Sequence, residues 1–345
     1  MVKRATLADV ARRAGVSKTA VSLILNERPG SRLSADAVAR VQEAASELNY
    51  RPSHAARSLR IGKTRTVGFI SDEVTVTRYA SAMIKGALDA ADQSQHTVLI
   101  AETAGSPERT ANAIDAMADG RTDGMIFASM RAHEIDLPKV PPELPVVLLN
   151  VTSANRHASV LPAERDAGYQ ITRLLLNHGH RRIALIGRIP SAINKPRLSA
   201  TIGSRFAGIY QALAEAGIEL VAQIDEDQWE PQRGYLATQE LLRTGAELTA
   251  LICLNDRLAF GAYQVFAEQG IRIPNDISIA SFDDDVIASY LRPALTTAQI
   301  PYEQMGRKAM TMVLSGDTAG EQRLVPMPLQ LRASIRKAGQ TGTLS

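Results

Sequence analysis

The sequence predicts an α/β protein in which a small all-α, basic N-terminal module precedes a large body of parallel sheets wrapped by helices. Three observations point there. Two short stretches of helical periodicity meet at Gly15; basic residues crowd the first 65 positions; and from residue 66 short apolar runs alternate with amphipathic segments.

The 345 residues suffice for two or three domains, and 45% apolar with 22% charged is an ordinary globular balance. No run of 18 apolar residues is present, and MVKRATLADV opens with basic residues but no apolar stretch behind them, so no membrane association is expected and a cytoplasmic location is. The single cysteine, Cys253, excludes an intramolecular disulfide framework and fits a reducing compartment; it sits within an apolar run and reads as an inert core thiol. The six histidines show no zinc spacing, and no cofactor is implied.

The overall charge of +3 conceals an asymmetry. Residues 1–65 hold 13 Lys/Arg against five acids, a net +8, which leaves about −5 for the remainder. A solvated basic face would produce the same count, but concentration in so short a segment favours a polyanionic partner.

Thr6 precedes Leu7, Val10, Ala11 and Ala14 at helical spacing, with Asp9 three residues on as in a capping box, so helix one is expected over 7–14. Gly15 can take the left-handed conformation that ends it, and Ser17 caps a second helix over about 18–25. On that helix Val21, Ile24 and Leu25 share one face; Thr19, Ser22 and Asn26 lie on the other together with Leu23, an apolar residue on a polar face. This is a helix-turn-helix pattern, whose second helix enters a major groove. Ser34 starts a third helix with the stripe Val38, Val41, Ala45 and Leu48. Pro52 then breaks the pattern, and 53–60 is too short to be a stable helix unaided. The following IGKT is no phosphate loop, because the glycine needed five positions before Gly62 is Arg57.

In the body, apolar runs at 66–70, 97–101, 124–128, 146–150, 182–187, 250–255 and 277–282 alternate with amphipathic segments at 80–94, 107–119, 164–178, 206–216, 232–243 and 256–269. Such alternation implies parallel sheets covered on both faces, with ligands beyond the C-terminal ends of the strands. Ser71–Tyr79, Asn150, Asn255 and Asp283–Asp285 fall there. No GxGxxG, GxSxG or HExxH occurs, so no enzyme is expected. His178 and His180 flank Gly179 in a helix-to-strand turn and read as structural.

TLADVARRAGVSKTAVSLILN (6–26), followed by LNYRPSHAARSLRIGKTRTVGFI (48–70), resembles the lactose-repressor/galactose-repressor (LacI/GalR) family of bacterial transcription regulators, and the resemblance runs over nearly the whole chain. It implies a homodimer placing two recognition helices in successive major grooves of a near-palindromic double-stranded DNA operator. The segment matching 53–60 would be a hinge helix, formed only when paired with its mate against the minor groove. Thr6, Ser17, Ser22, Asn26 and Tyr50 match positions that grip phosphates, with Leu7 beside Thr6. Lys18, Thr19 and Leu23 match positions that reach base edges. Leu59 matches an apolar wedge, with Ala56 packed beside it and Arg60 next to the groove. The family commonly holds a polar or basic reader where this chain has Leu23, and a threonine where it has Ala20. A leucine cannot hydrogen-bond a guanine but can pack on a thymine methyl.

For the body the resemblance implies a two-lobed, periplasmic-binding-protein-like effector domain of two doubly wound parallel sheets, joined by three crossovers around a cleft. The expected division is a DNA-binding domain at 1–51, a hinge at 52–64 and an effector-binding and dimerisation domain at 65–340. Lobe one would comprise about 65–161 plus 299–330, and lobe two about 162–298. LNDRLAFGAYQVFAEQGIRIPNDISIASFDD (254–284) carries the match; in it Asn255 and Asp283 stand where effector hydroxyls are bound. Arg205 in RFAG matches a cleft arginine, Trp229 an aromatic stacked on the ligand, and Asn150 a position that some members fill with a carboxylate. Where the family commonly has Asn-Pro-Phe-Phe, this chain has DEVTVTRYAS, one residue longer, with Tyr79 in an aromatic's place and Arg78 where the proline stands.

A guanidinium fork, a carboxylate, an amide and an indole suit a polyol, so the expected effector is a mono- or disaccharide. Competing structural readings exist: Arg205 as an ion-pair partner, Trp229 as packing, Asn255 and Asp283 as turn caps, Leu23 as a surface residue without consequence. The expected function is a sequence-specific repressor whose DNA affinity an effector controls. An architectural DNA-binding protein with a vestigial body, and an enzyme fused to a DNA module, are the rivals. The tail RASIRKAGQTGTLS (332–345) lacks leucine heptads, which favours a dimer over a coiled-coil tetramer.

Overall fold

The computed structural model describes residues 5–25, 33–50, 62–75, 77, 81–119, 121–155 and 157–339. The chain divides into two compact units, Met1–Arg65 and Thr66–Ser345.

In the first unit α1 (Leu7–Ala14), α2 (Lys18–Leu25) and α3 (Ala35–Glu47) form where capping chemistry predicts. The Thr6 amide donates to Asp9 Oδ2 (2.9 Å) and the Asp9 amide to Thr6 Oγ1 (3.3 Å), satisfying two end groups of α1 reciprocally. Gly15 takes φ +69°, which closes α1 and turns the chain into α2. Ser17 Oγ then accepts from the Ala20 amide, and Ser34 Oγ from the Ala37 amide. Val10, Ala14, Val21, Val41, Ala44 and Ala45 are buried between the helices, with Leu7, Ile24, Leu25, Leu48 and Tyr50 packed around them. The apolar stripe of α3 lies slightly off the expected one: Ala37 and Ala44 are buried while Val38 and Leu48 are only half-buried, because the small alanines face inward and the larger chains lie at the margin. Arg13 bridges α1 to Glu47 of α3 at 2.9 Å.

The second unit holds two six-stranded sheets. The first is built from β1 (Thr66–Asp72), β2 (Thr97–Glu102), β3 (Met125–Ile135), β4 (Val146–Ser153), β5 (Ala158–Pro162) and β11 (Gln322–Val325), in the order β11-β5-β4-β3-β1-β2. The second contains β6 (Ile183–Arg188), β7 (Ala222–Asp225), β8 (Ala250–Cys253), β9 (Ser278–Asp283), β10 (Thr296–Gln299) and β12 (Leu329–Gln330), ordered β12-β10-β9-β8-β6-β7. All pairings are parallel except β12 with β10. Alternate residues of the first sheet bury on opposite faces. Val67, Phe69, Ile126 and Leu149 join one cluster, and Ile70, Met125, Phe127 and Leu148 the other, which is why these strands read as continuous apolar runs.

The chain passes from the first sheet to the second after β5, returns after β10, and crosses again between β11 and β12. These are the three crossovers of a two-lobed body. The last one falls between Val325 and Leu329, so residues 329–330, expected in lobe one, pair instead with Thr297 and Ala298 of lobe two. The tail beyond continues on that lobe: the Ser334 hydroxyl donates to Ile279 O, and His180 Nε2 lies 2.9 Å from Arg336 O.

Helices cover both sheets: α4 (Ser81–Gln93), α5 (Pro107–Ala118) and α11 (Tyr302–Ser315) on lobe one, and α6 (Glu164–Asn177), α7 (Ile202–Glu215), α8 (Pro231–Arg243), α9 (Asp256–Glu268) and the short α10 (Val286–Tyr290) on lobe two. One pair positions the site. A Cβ on Gly168 of α6 would meet the Arg205 carbonyl, and one on Gly208 of α7 the Arg165 carbonyl, so only glycine lets these helices approach this closely. The N-terminal turns of α6 and α7 are thereby set side by side.

Candidate functional site

The described candidate residues fall in two regions. In the first unit the exposed side of the helix-turn-helix carries Thr6, Ser17, Lys18 and Thr19 in the open and Ser22 half-exposed. Leu23 is half-buried yet lies outside the set packed on the three-helix core, so its place on the polar side is real. Leu7 and Tyr50 are half-buried at the core margin. Thr6 and Ser17 spend their hydroxyls capping α1 and α2. Asn26, Ala56, Leu59 and Arg60 lie outside the described residues, as does Tyr79 of the body.

The second region lies at the C-terminal ends of the second-sheet strands. Arg205, in the first turn of α7, is 2% exposed. Its Nε donates to Glu164 Oε2 (2.6 Å), Nη2 to Glu164 Oε1 (2.8 Å) and Nη1 to the Leu254 carbonyl, while Asp283 Oδ1 lies 3.7 Å from Nη2. The guanidinium also stacks over Phe282, 4.4 Å from its ring centre, and lies 5.5 Å from that of Trp229. Burial works against the Arg205 charge, but the Glu164 carboxylate more than offsets it and the pKa is raised. Asp283, its side chain 30% exposed at the end of β9, is pushed by burial up to about 6, although Arg205 draws it down. It adopts φ +103° and Asp284 φ +56°, a strained backbone of the sort that accumulates at functional positions. Burial likewise raises the Tyr302 hydroxyl pKa, with the charges of Asp283 and Glu164 adding to it; Tyr302 begins α11 and so brings lobe one to this cluster.

The other candidates are held by protein partners. Asn255 caps α9, its Oδ1 accepting from the Leu258 amide (2.8 Å), and its Nδ2 donates to Trp229 O (3.1 Å). Trp229 Nε1 donates to Gly187 O (2.9 Å) and Glu226 O (3.2 Å), which fixes the indole beside Arg205. Asn150, with φ +59°, donates through Nδ2 to Ser129 O (3.1 Å) and Met130 O (2.8 Å), where the β3–β4 register shifts between Ala128 and His133. Thus Arg205, Trp229 and Asp283 come together, Asn255 supports them from beneath through Trp229, and Asn150 organises the opposite lobe.

Sequence reasoning missed three features. Glu164 looks in sequence like any acid at a helix start, and only the glycine-mediated approach of α6 and α7 sets it against Arg205. Tyr302 had no signal beyond being aromatic. The third is the loop 189–201 between β6 and α7, which reaches the extension of β3: the Glu134 amide donates to Pro196 O (2.7 Å), the Ala200 amide to Ala132 O (2.8 Å), and Arg197 pairs with both oxygens of Asp136 (2.8 and 2.9 Å). This strap joins the lobes across their facing ends.

A basic helix-turn-helix followed by a two-lobed α/β body defines a DNA-binding regulator with an effector-binding domain. Comparison with known proteins makes that specific. Residues 6–53 match the family described as bacterial regulatory proteins, lacI family, and residues 172–335 the periplasmic binding protein-like domain. The ribose operon repressor of Haemophilus influenzae is 33% identical over 319 residues, covering 90% of this chain and 91% of that protein. The HTH-type transcriptional repressor PurR of Erwinia tasmaniensis is 32% identical over 321 residues, 91% of each. Among solved structures, the lac repressor dimer bound to operator and the anti-inducer ONPF superposes with a TM-score of 0.75 at 26% identity, covering 97% of this chain and all of that one. The chain belongs to the LacI family of bacterial transcription regulators.

Proposed function

We propose that this chain is a repressor that binds a near-palindromic operator as a homodimer and whose operator affinity is set by a small sugar between its lobes. The carrying observation is the conjunction, in one chain, of an exposed basic recognition surface and an Arg205–Asp283–Trp229 cluster, built on a buried arginine, at the strand ends of a two-lobed body. Lys18, Thr19 and Leu23 read bases; Thr6, Ser17, Ser22, Asn26 and Tyr50 hold the phosphate backbone, with Leu7 beside Thr6. The hinge segment 52–64 couples the two ends, with Leu59, Ala56 and Arg60 at the minor groove.

A dimer is supported by apolar side chains that remain exposed on lobe one, Leu88 on α4 and Leu99 and Ile100 on the edge strand β2, each about two-fifths exposed, and by Tyr290 on lobe two. An unpaired apolar edge strand is a surface that proteins ordinarily cover. In the cleft Asp283 accepts from sugar hydroxyls, the Trp229 face covers the apolar side of a ring, and Arg205 fixes the orientation of both.

The test is binding-site selection with the purified full chain from a random duplex pool at moderate ionic strength. Two half-sites with two-fold symmetry, centred about one helical turn apart, are expected. A sugar that raises the melting temperature is then expected to change the affinity for the selected duplex. Selection of no palindrome overturns the DNA half of the reading. Sugars that bind without altering DNA affinity overturn the coupling.

A further inference from the structure

We propose that the effector of this regulator carries no negative charge, and that Glu164 is the residue that enforces this. The inference rests on the inter-lobe sugar site and adds the charge class of its ligand. An anionic effector, such as a phosphorylated sugar or a sugar acid, needs a cation with an unpaired face. Arg205 is already neutralised: Glu164 engages the Nε–Nη2 edge of its guanidinium with both oxygens, the Leu254 carbonyl takes a third donor, and Asp283 stands 3.7 Å from Nη2.

Among the described residues, four further arginines of the second lobe are also engaged. Arg188 pairs with both oxygens of Asp225 (2.7 and 2.9 Å), Arg233 with Glu226 (2.7 Å), Arg257 with Glu230 (2.6 Å) and Arg332 with Asp284 (2.6 Å). Around Arg205 two carboxylates thus face one guanidinium, in a setting where Glu164 is 5% exposed and water screens little. A ligand phosphate or carboxylate placed there meets uncompensated negative charge. Hydroxyls meet an acceptor in Asp283. Glu164 touches no ligand in this scheme; it is a positioning residue that both neutralises and orients Arg205.

Isothermal titration calorimetry on the full-length protein distinguishes the outcomes. The probes are neutral aldoses and disaccharides, together with the phosphate ester and the uronic or aldonic acid of each. Expected is binding of a neutral sugar, with its phosphate and acid forms weaker by at least about tenfold. Glu164→Gln, which keeps an acceptor for Arg205 but removes the charge, is expected to shrink that gap by at least about tenfold, the readout being the ratio of anionic to neutral affinity and not the neutral-sugar affinity itself. A wild-type protein that takes the anionic form as well as the neutral one overturns the inference and leaves the sugar-site reading standing. A folded Glu164→Gln protein with an unchanged gap overturns the role of Glu164. Should that variant fail to fold, the wild-type ratio and the ionic-strength dependence of the weaker titrations decide: equal affinity, or anion binding that weakens steeply with salt, counts against the proposal. If no member of either series binds, the sugar-site reading fails and takes this inference with it.

Discussion

The Glu164 carboxylate and the Arg205 guanidinium meet as a two-pronged ion pair, 2.6 Å from Oε2 to Nε and 2.8 Å from Oε1 to Nη2, with neither side chain more than 5% exposed. Desolvating both ions costs about what their attraction returns, but removing one strands the other. Glu164→Ala is therefore expected to lose about 3–5 kcal/mol in urea denaturation. The double variant Glu164→Met with Arg205→Met is expected to be less destabilised than Glu164→Ala alone, since no charge is left unpaired. A double variant as unstable as the sum of its parts would show that packing, not charge, dominates the site.

The loop after β1 is held by a second carboxylate. Burial alone would raise the Glu102 pKa, but the hydroxyls of Ser71 and Thr75 and the amides of Glu73 (2.8 Å) and Ala104 (3.1 Å) donate to it and bring it down to about 2. The folded-state pKa lies below the ordinary value of 4.5, so this contribution is complete above about pH 4.5 and is lost as pH falls toward 2. Glu102→Gln is expected to cost about 1–3 kcal/mol at pH 7 and to flatten the acid limb of the stability curve between pH 5 and 2. Chemical denaturation across that range, wild type against variant, measures both effects.

The legible parts of this molecule are those governed by local rules. Thr6, Gly15, Ser17 and Ser34 announce the first three helices because capping is a property of a few consecutive residues. Strands such as β1, β4, β6 and β9 are visible because both faces are buried, whereas the short β5, β7, β10, β11 and β12 leave no comparable run. Helix α7 begins at Ile202, one turn before the expected 206, since the residues ahead of RFAG show no cap that sequence could reveal: Thr201 makes no capping bond. The site divides in the same way. Arg205, Trp229 and Asp283 were anticipated through motif resemblance. Glu164 was not, because its partnership depends on the packing of Gly168 against Arg205 and of Gly208 against Arg165. Asn255 caps α9 with its Oδ1 and reaches Trp229 O with its Nδ2, bonds that the resemblance does not announce.

Leu23 sits in the second turn of the recognition helix, off the three-helix core. As a base reader it favours a thymine methyl over the hydrogen-bonding edge of guanine. Selected half-sites are expected to carry T·A at one fixed position, by about 1–3 kcal/mol over G·C, and Leu23→Arg is expected to move the preference at that position toward G·C. Competition binding with the two duplexes gives the ratio directly. The same consensus from both proteins would return Leu23 to an ordinary surface residue.

Asp283 yields the last prediction, because stability and effector binding respond to its proton in opposite directions. The charges acting on it come from Arg205, Glu164 and Asp285, with Tyr302 packed nearby on α11. Its pKa is raised from 3.8 to about 6, so the folded state holds the proton more tightly than the unfolded chain does. Its ionisation then costs stability, at most about 3 kcal/mol, as pH rises from about 4 to 6, and that penalty is in full force at pH 7. Asp283→Asn is expected to remove this slope and to raise the melting temperature at neutral pH. Sugar affinity runs the other way: the ionised carboxylate accepts hydroxyl donors, so affinity is expected to fall as pH drops through about 6, by at most tenfold per unit for a single proton, and to be low and nearly pH-independent in Asp283→Asn. Thermal melts and calorimetric titrations at pH 5, 6, 7 and 8 on the two proteins test both limbs. Parallel trends in stability and affinity would show that Asp283 serves the fold and not the ligand.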